Sequence, residues 1–214
     1  MRRGGLVVLG LVVVPVLAEA QGLGGLAFNA RRRVYYQSAV REQTGLLVGG
    51  SGMMRLGPLE VGVGGWLGTL KGDGTALNPD AKARTTVASG LVQVVPGVMV
   101  GARYEVRRFE SDVGVTVWTL MGAGVRVEPG LGAPGLRGLV EAVVLPSAAV
   151  QGGAALAAAR QVTVGVSYAP PRSPLGLRLG YRVERYDVEA APGVSARYEQ
   201  FQGLVVEAGL RFGR

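Results

Sequence analysis

The sequence predicts an all-β protein: a closed, antiparallel, up-and-down transmembrane β-barrel of about ten strands, with eight as the runner-up. Three observations predict it. Pro and Gly recur at short, even intervals, at Gly57-Pro58, Lys71-Gly72-Asp73-Gly74, Pro96-Gly97, Pro129-Gly130 to Pro134-Gly135, Pro170 to Pro174 and Pro192-Gly193. One residue type fixes φ and the other permits positive φ, so each cluster marks a turn. Between the turns lie segments rich in Val, Leu, Thr and Tyr that alternate apolar and polar with period two. The polar face of that alternation is unusually rich in Gly, and the chain has only two lysines, Lys71 and Lys82.

Composition narrows the classes first. The chain has 214 residues, 23 Lys plus Arg against 15 Asp plus Glu, and a formal charge of +8. It is 48% hydrophobic but only 18% charged, below the ~25% of an average soluble domain. Its 36 glycines far exceed the usual ~7%. Having no His excludes zinc–imidazole sites and histidine-based nucleophile pairs. Having no Cys excludes disulfides and thiolate chemistry.

The elements follow in order. Arg2 and Arg3, an apolar run from Leu6 to Leu17 and Ala18-Glu19-Ala20 make the three parts of a secretory signal peptide, so residues 1–20 are expected to be cleaved and 21–214 to form one domain. The run is too short for a membrane-spanning helix, which needs about 20 apolar residues. Strands are expected at 22–34, 44–56, 59–70, 82–95, 98–109, 112–127, 136–147, 156–169, 175–188 and 198–213. Alternation is plainest late in the chain, where Leu204, Val206, Ala208, Leu210 and Phe212 oppose Gly203, Val205, Glu207, Gly209 and Arg211. Leu175, Leu177, Leu179, Tyr181 and Val183 oppose Gly176, Arg178, Gly180, Arg182 and Glu184 in the same way. Val98, Val100, Ala102, Tyr104 and Val106 oppose Met99, Gly101, Arg103, Glu105 and Arg107, and Val113, Val115 and Val117 oppose Gly114, Thr116 and Trp118. Residues 21–43 alternate poorly.

Alternation alone does not say which stripe is inside, because a soluble sandwich and a membrane barrel both alternate. Glycine weakens a water-facing strand. Inside a narrow barrel it is expected to make room for Trp66, Trp118 and long Arg side chains. Closure also removes the sheet edges that a bilayer cannot satisfy. The aliphatic stripe is therefore expected to meet lipid.

The stretch Gln202-Gly203-Leu204-Val205-Val206-Glu207-Ala208-Gly209-Leu210-Arg211-Phe212 resembles the closing strand of bacterial outer-membrane β-barrel proteins, the small OmpA/OmpX-like or ten-stranded barrels. The resemblance implies that Gly203, Leu210 and Phe212 form the signal read by the barrel-assembly machinery during biogenesis. It also implies an outer-membrane location and outer-membrane lipids as partners. Gly213-Arg214 follow Phe212, where the family pattern ends at the aromatic. With the C-terminus periplasmic, the loops near 35–43, 71–81, 109–112, 148–155 and 189–197 are expected outside the cell. Tyr168 and Phe212 then fall near the periplasmic rim, and Tyr104, Phe109, Tyr186 and Tyr198 near the outer rim, as an aromatic girdle.

Three groups of residues carry the functional expectations. The inward face collects Arg103, Glu105, Arg107, Arg126, Arg137, Glu141, Arg178, Arg182, Glu184, Glu207 and Arg211, with Glu60, as a lumen charge network. Buried charges survive only when paired, and the planar arginine fork suits carboxylates. The expected function is non-enzymatic: a structural or interaction role with a largely side-chain-filled, Arg/Glu-lined lumen. A small anion-favouring pore is the alternative, and a soluble exported barrel with an apolar ligand is the second. Arg31, Arg32, Arg33, Lys82, Arg84 and Arg108, toward the outer rim, are candidate lipid-phosphate contacts. Enzymes of the resembling family rely on a histidine that this chain lacks. Asp73 and Asp80 are expected in a solvated turn, so no metal and no cofactor is expected. An exported barrel implies no nucleic-acid partner, and the oligomeric state is left open.

Overall fold

The computed structural model describes residues 20–36, 39–75, 77–112, 114–151, 156–190 and 195–212. The expected signal peptide up to residue 19, Val113, and Gly213-Arg214 lie outside the described residues. Ten strands follow one another: β1 (Ala20–Tyr35), β2 (Val40–Leu56), β3 (Leu59–Leu70), β4 (Ala81–Val95), β5 (Val98–Ser111), β6 (Gly114–Val127), β7 (Leu136–Gln151), β8 (Leu156–Tyr168), β9 (Leu175–Val188) and β10 (Arg197–Phe212). Each pairs antiparallel with the next, and β1 pairs with β10 from Gln21↔Phe212 to Tyr35↔Tyr198, which closes the barrel.

Both β1 and β10 reach the same end, here the terminal end, which also carries the connections 57–58, 96–97, 128–135 and 169–174. At the opposite, loop end β1 is followed by β2, β3 by β4, β5 by β6, β7 by β8 and β9 by β10. The two tightest terminal turns need left-handed backbone, supplied by Gly57 (φ 56°) and Gly97 (φ 79°). Two expected loops are shorter than the sequence suggests, because β2 begins at Val40 and β7 runs on to Gln151. The register of β6 on β7 passes from Met121↔Ser147 to Ala123↔Val144, so Pro146 sits in a bulge where its missing N–H interrupts no ladder bond.

The outer wall is aliphatic on all ten strands. Leu23, Leu46, Val63, Val92, Val100, Met121, Val140, Val164, Leu179 and Val206 are all exposed, one from each. Strands of 12 to 17 residues exceed the ~9–11 that cross a bilayer, and the surplus lies toward the loop end. There the polarity of the faces reverses. In β1 the outward Leu23 near the terminal end gives way to outward Asn29 and Arg31, while the inward glycines give way to buried Phe28, Ala30 and Val34. The loop half of the barrel thus encloses an apolar core, including Leu47, Leu70, Leu120, Leu145, Ala159 and Val188.

Interior glycines divide into two kinds. Near Gly24 a side chain's Cβ would lie 3.3 Å from Ser51 Oγ and 3.5 Å from Glu207 Oε1, so the glycine does make room for neighbouring side chains. At Gly101, Gly122 and Gly165 a Cβ would instead strike the backbone of the adjacent strand, 2.8 Å from Leu91 Cα, 2.7 Å from Leu145 Cα and 2.6 Å from Gly180 Cα. These three permit close approach of neighbouring strands, a second role beside the expected one of making room for large side chains.

Candidate functional site

The enclosed charges form one alternating chain across the barrel. Glu60 accepts from Arg126 (2.6 Å), Arg126 reaches Glu141 (3.2 Å), and Glu141 pairs with Arg103 (3.1 Å). Arg103 pairs with Glu105 (3.2 Å), Glu105 with Arg107 (2.8 Å), Arg107 with Glu184 (2.6 Å), and Glu184 with Arg182 (3.7 Å). Four arginines from β5, β6 and β9 balance four glutamates from β3, β5, β7 and β9. Gln161 Nε2 donates to Glu105 (2.9 Å), and the Tyr186 hydroxyl donates to Glu184 (3.1 Å). Burying these ions is tolerable because nearly every charged group meets an opposite one. A cavity of about 50 Å³ beside Arg103, Arg126 and Glu141 has room for a few waters and not for a solute.

Above this chain, toward the loop end, lies an aromatic layer. Phe109 meets Trp118 edge-on (centroids 5.3 Å apart) and stacks on Phe201 (5.4 Å). Tyr186 packs on Trp118 (4.8 Å), and Phe28 meets Trp66 (6.4 Å). The Arg107 guanidinium carbon sits 4.9 Å from both the Tyr186 and Phe201 ring centres, and Arg182 sits 5.2 Å over Trp66. Cation–π attraction strengthens in desolvated surroundings, so the arginines bind the aromatic layer to the charge layer.

Polar contacts line the loop end along β10, β1 and β2. Arg32 donates to Glu199 (2.6 Å) and to Gln43 (2.8 Å), and Arg197 donates to Glu199 (3.0 Å). Gln43 Nε2 donates to the Pro79 carbonyl (2.6 Å) and Asn78 Nδ2 to the Glu42 carbonyl (2.9 Å), which fasten the 71–80 loop to β2. Within that loop, the Lys71 ammonium and the Gly72 amide lower the Asp80 pKa, and the Thr75 hydroxyl and amide lower that of Asp73.

The sequence-derived set divides accordingly. Arg103, Glu105, Arg107, Arg126, Glu141, Arg182 and Glu184 come together in the chain, joined by Glu60. Arg178 and Glu207 form a separate pair nearer the terminal end (3.2 Å), with Ser51 donating to Glu207 (2.5 Å). Arg137 and Arg211 do not join: both are exposed, beyond the enclosed length of their strands. Arg211 reaches only the Ser173 carbonyl (3.4 Å), and no ion pair forms at Arg137 among the described residues.

Arg32 is a correction to the rim group. Adjacent strand residues face opposite sides, so Arg31 and Arg33 point outward to Glu42 (3.3 and 2.7 Å) while Arg32 points inward. Lys82, Arg84 and Arg108 remain on the outer wall at the loop end, exposed. Phe109 and Tyr186 are a second correction: they share parity with Arg107 and Glu184, lie fully inside, and belong to the aromatic layer, not to a girdle. Gly203 packs where a Cβ would collide with the Asn29 carbonyl, and Leu210 and Phe212 face outward.

No protein-family model matches the chain, and no curated protein matches it. Solved structures do match in shape. Neisserial surface protein A is 16% identical with a TM-score of 0.41, over 90% of this chain and 99% of its own. The translocator domain of autotransporter NalP from Neisseria meningitidis is 11% identical with a TM-score of 0.49, over 91% and 88%. The attachment invasion locus protein Ail of Yersinia pestis is 11% identical with a TM-score of 0.39, over 91% and 99%.

Proposed function

We propose that this chain is an outer-membrane β-barrel that acts as a rigid, filled scaffold with a structural or interaction role in the cell envelope, with its loop end outside. One observation carries the reading: Arg107, held between Tyr186 and Phe201, joins a charge layer to an aromatic layer inside the barrel. Several others agree with it. The aliphatic wall suits hydrocarbon and opposes a soluble barrel. Short turns at 57–58 and 96–97 suit a periplasmic terminal end, and the 71–80 loop suits the outer side. The lumen carboxylates are held by arginine, and no histidine stands near them to carry acid–base chemistry.

The anion-favouring pore is the weaker reading. The enclosed chain has equal numbers of Arg and Glu, so the chain's positive excess lies on its rims and outer wall. Planar-bilayer recording of the refolded protein tests the proposal. A filled scaffold gives no discrete conductance steps, whereas anion-selective steps lost on Arg103→Gln would establish the pore.

A further inference from the structure

The strand register places like charges directly opposite one another on the outer wall, twice. Arg160 of β8 is paired with Arg185 of β9, and Arg84 of β4 with Arg108 of β5. All four are exposed at the loop end. Directly opposed like charges destabilise a sheet unless something of opposite sign lies between them. The first pair has the more developed surroundings. Asp187 accepts from Arg185 Nε (2.8 Å), and the guanidinium carbon lies 4.3 Å over the Tyr198 ring. That ring is itself stacked on Tyr35 at 4.2 Å. Arg185 is thereby held in place, and no ion pair forms at Arg160 among the described residues.

Immediately below the pair, on the same faces of the same strands, the wall turns aliphatic. Val162 and Val164 continue β8, and Tyr181 and Leu179 continue β9, all exposed. A ligand that satisfies both halves is an amphiphile with an anionic oxygen cluster at one end and hydrocarbon at the other. Arginine forks bind phosphate bidentately, and the aliphatic strip leads straight down from them. We propose that Arg160 and Arg185 clasp the phosphate of an anionic membrane lipid whose acyl chains lie along Val162, Val164, Leu179 and Tyr181. Arg84 and Arg108 form a second such opposed pair, flanked at the same level by Leu67 and Val117 on the neighbouring strands. The site rests on the wall facing hydrocarbon, and the test separates the two claims.

The chain has no cysteine, so Val162→Cys carries a single bimane reporter two residues below Arg160. The full-length protein is refolded into phosphatidylcholine vesicles holding a minor fraction of brominated phosphatidylglycerol, or the same fraction of brominated phosphatidylcholine. Quenching by brominated phosphatidylcholine reports only that Val162 touches acyl chains. Its absence would refute the orientation of the wall. The excess quenching by phosphatidylglycerol reports the site. Occupancy about fivefold above its share of the bilayer is expected, falling to parity in Arg160→Gln/Arg185→Gln. On the unaltered arginines the excess falls as salt rises. Equal quenching by the two lipids, or an excess that survives high salt or the double substitution, would overturn the proposal.

Discussion

Replacing Arg107 by Met removes the residue that links the two layers of the lumen. In the native barrel its guanidinium lies 2.6 Å from Glu184 and 2.8 Å from Glu105, and all three side chains are buried. Methionine fills much of the same volume, so the cost is chiefly electrostatic. Arg103 remains 3.2 Å from Glu105, but Arg182 is 3.7 Å from Glu184, so Glu184 loses its best partner. Breaking a buried pair by deleting one side costs about 3–5 kcal/mol, because an uncompensated charge is left behind. The two surviving arginines place Arg107→Met at the lower bound, about 3 kcal/mol. Lost attraction to Tyr186 and Phe201 adds about 1 kcal/mol more. Urea unfolding in lipid vesicles, followed by heat-modifiable gel migration, measures the loss. Adding Glu184→Gln to the same chain removes the stranded charge and is expected to restore a large part of it. A single-variant loss below about 0.5 kcal/mol, the scale of an ordinary surface change, would refute the view that this charge chain braces the lumen.

Three further outcomes follow from other parts of the barrel. Gly101→Ala drives a Cβ against the backbone of β4 and is expected to cost about 1–3 kcal/mol. Gly25→Ala, with open space around its Cβ, is expected to stay within about 0.5 kcal/mol; equal losses in the same urea assay would contradict the close-approach argument. Leu179→Arg puts a charge midway down the exposed aliphatic strip of β9 and is expected to cost about 2–4 kcal/mol, against little for Leu179→Val. In the 71–80 loop the folded-state pKa values of Asp73 and Asp80 lie below 3.8. The ordering they supply is complete above that value and is lost as pH falls through the lowered values. Amide exchange at Thr75, whose N–H donates to Asp73 (2.9 Å), is expected to hold steady down to about pH 4 and to accelerate below, apart from its intrinsic pH dependence. Acceleration already above pH 5 would contradict it.

Strand number and order were legible because period-two alternation and turn residues are local signals. Residues 21–43 read poorly for a physical reason. The faces of β1 and β2 exchange polarity along their length, so an inward Phe28 and an outward Arg31 both break the pattern set by Leu23 and Gly24. The same reversal explains Phe109 and Tyr186. Taken as aromatic residues near a strand end they suggest a girdle, but their parity with Arg107 and Glu184 places them inside. Parity also separates Arg32 from its neighbours, and it would have flagged Arg160 and Arg185 as outward, since they share faces with Val162 and Tyr181. The joining of Glu60, Arg126, Glu141 and Arg103 was not legible. Arg126 and Glu141 are direct register partners on β6 and β7, whereas Glu60 of β3 and Arg103 of β5 reach them past intervening strands, and both relations follow only from register and barrel curvature.

Nitroxide scanning of β9 tests the division of faces most directly. Labels at positions 177, 179 and 181 are expected to collide freely with oxygen dissolved in the bilayer and hardly at all with a water-soluble nickel chelate. Labels at 178 and 182 should be shielded from oxygen, with 182 shielded from the chelate too. The opposite phase, with the odd positions shielded and the even ones open to the chelate, would contradict the account.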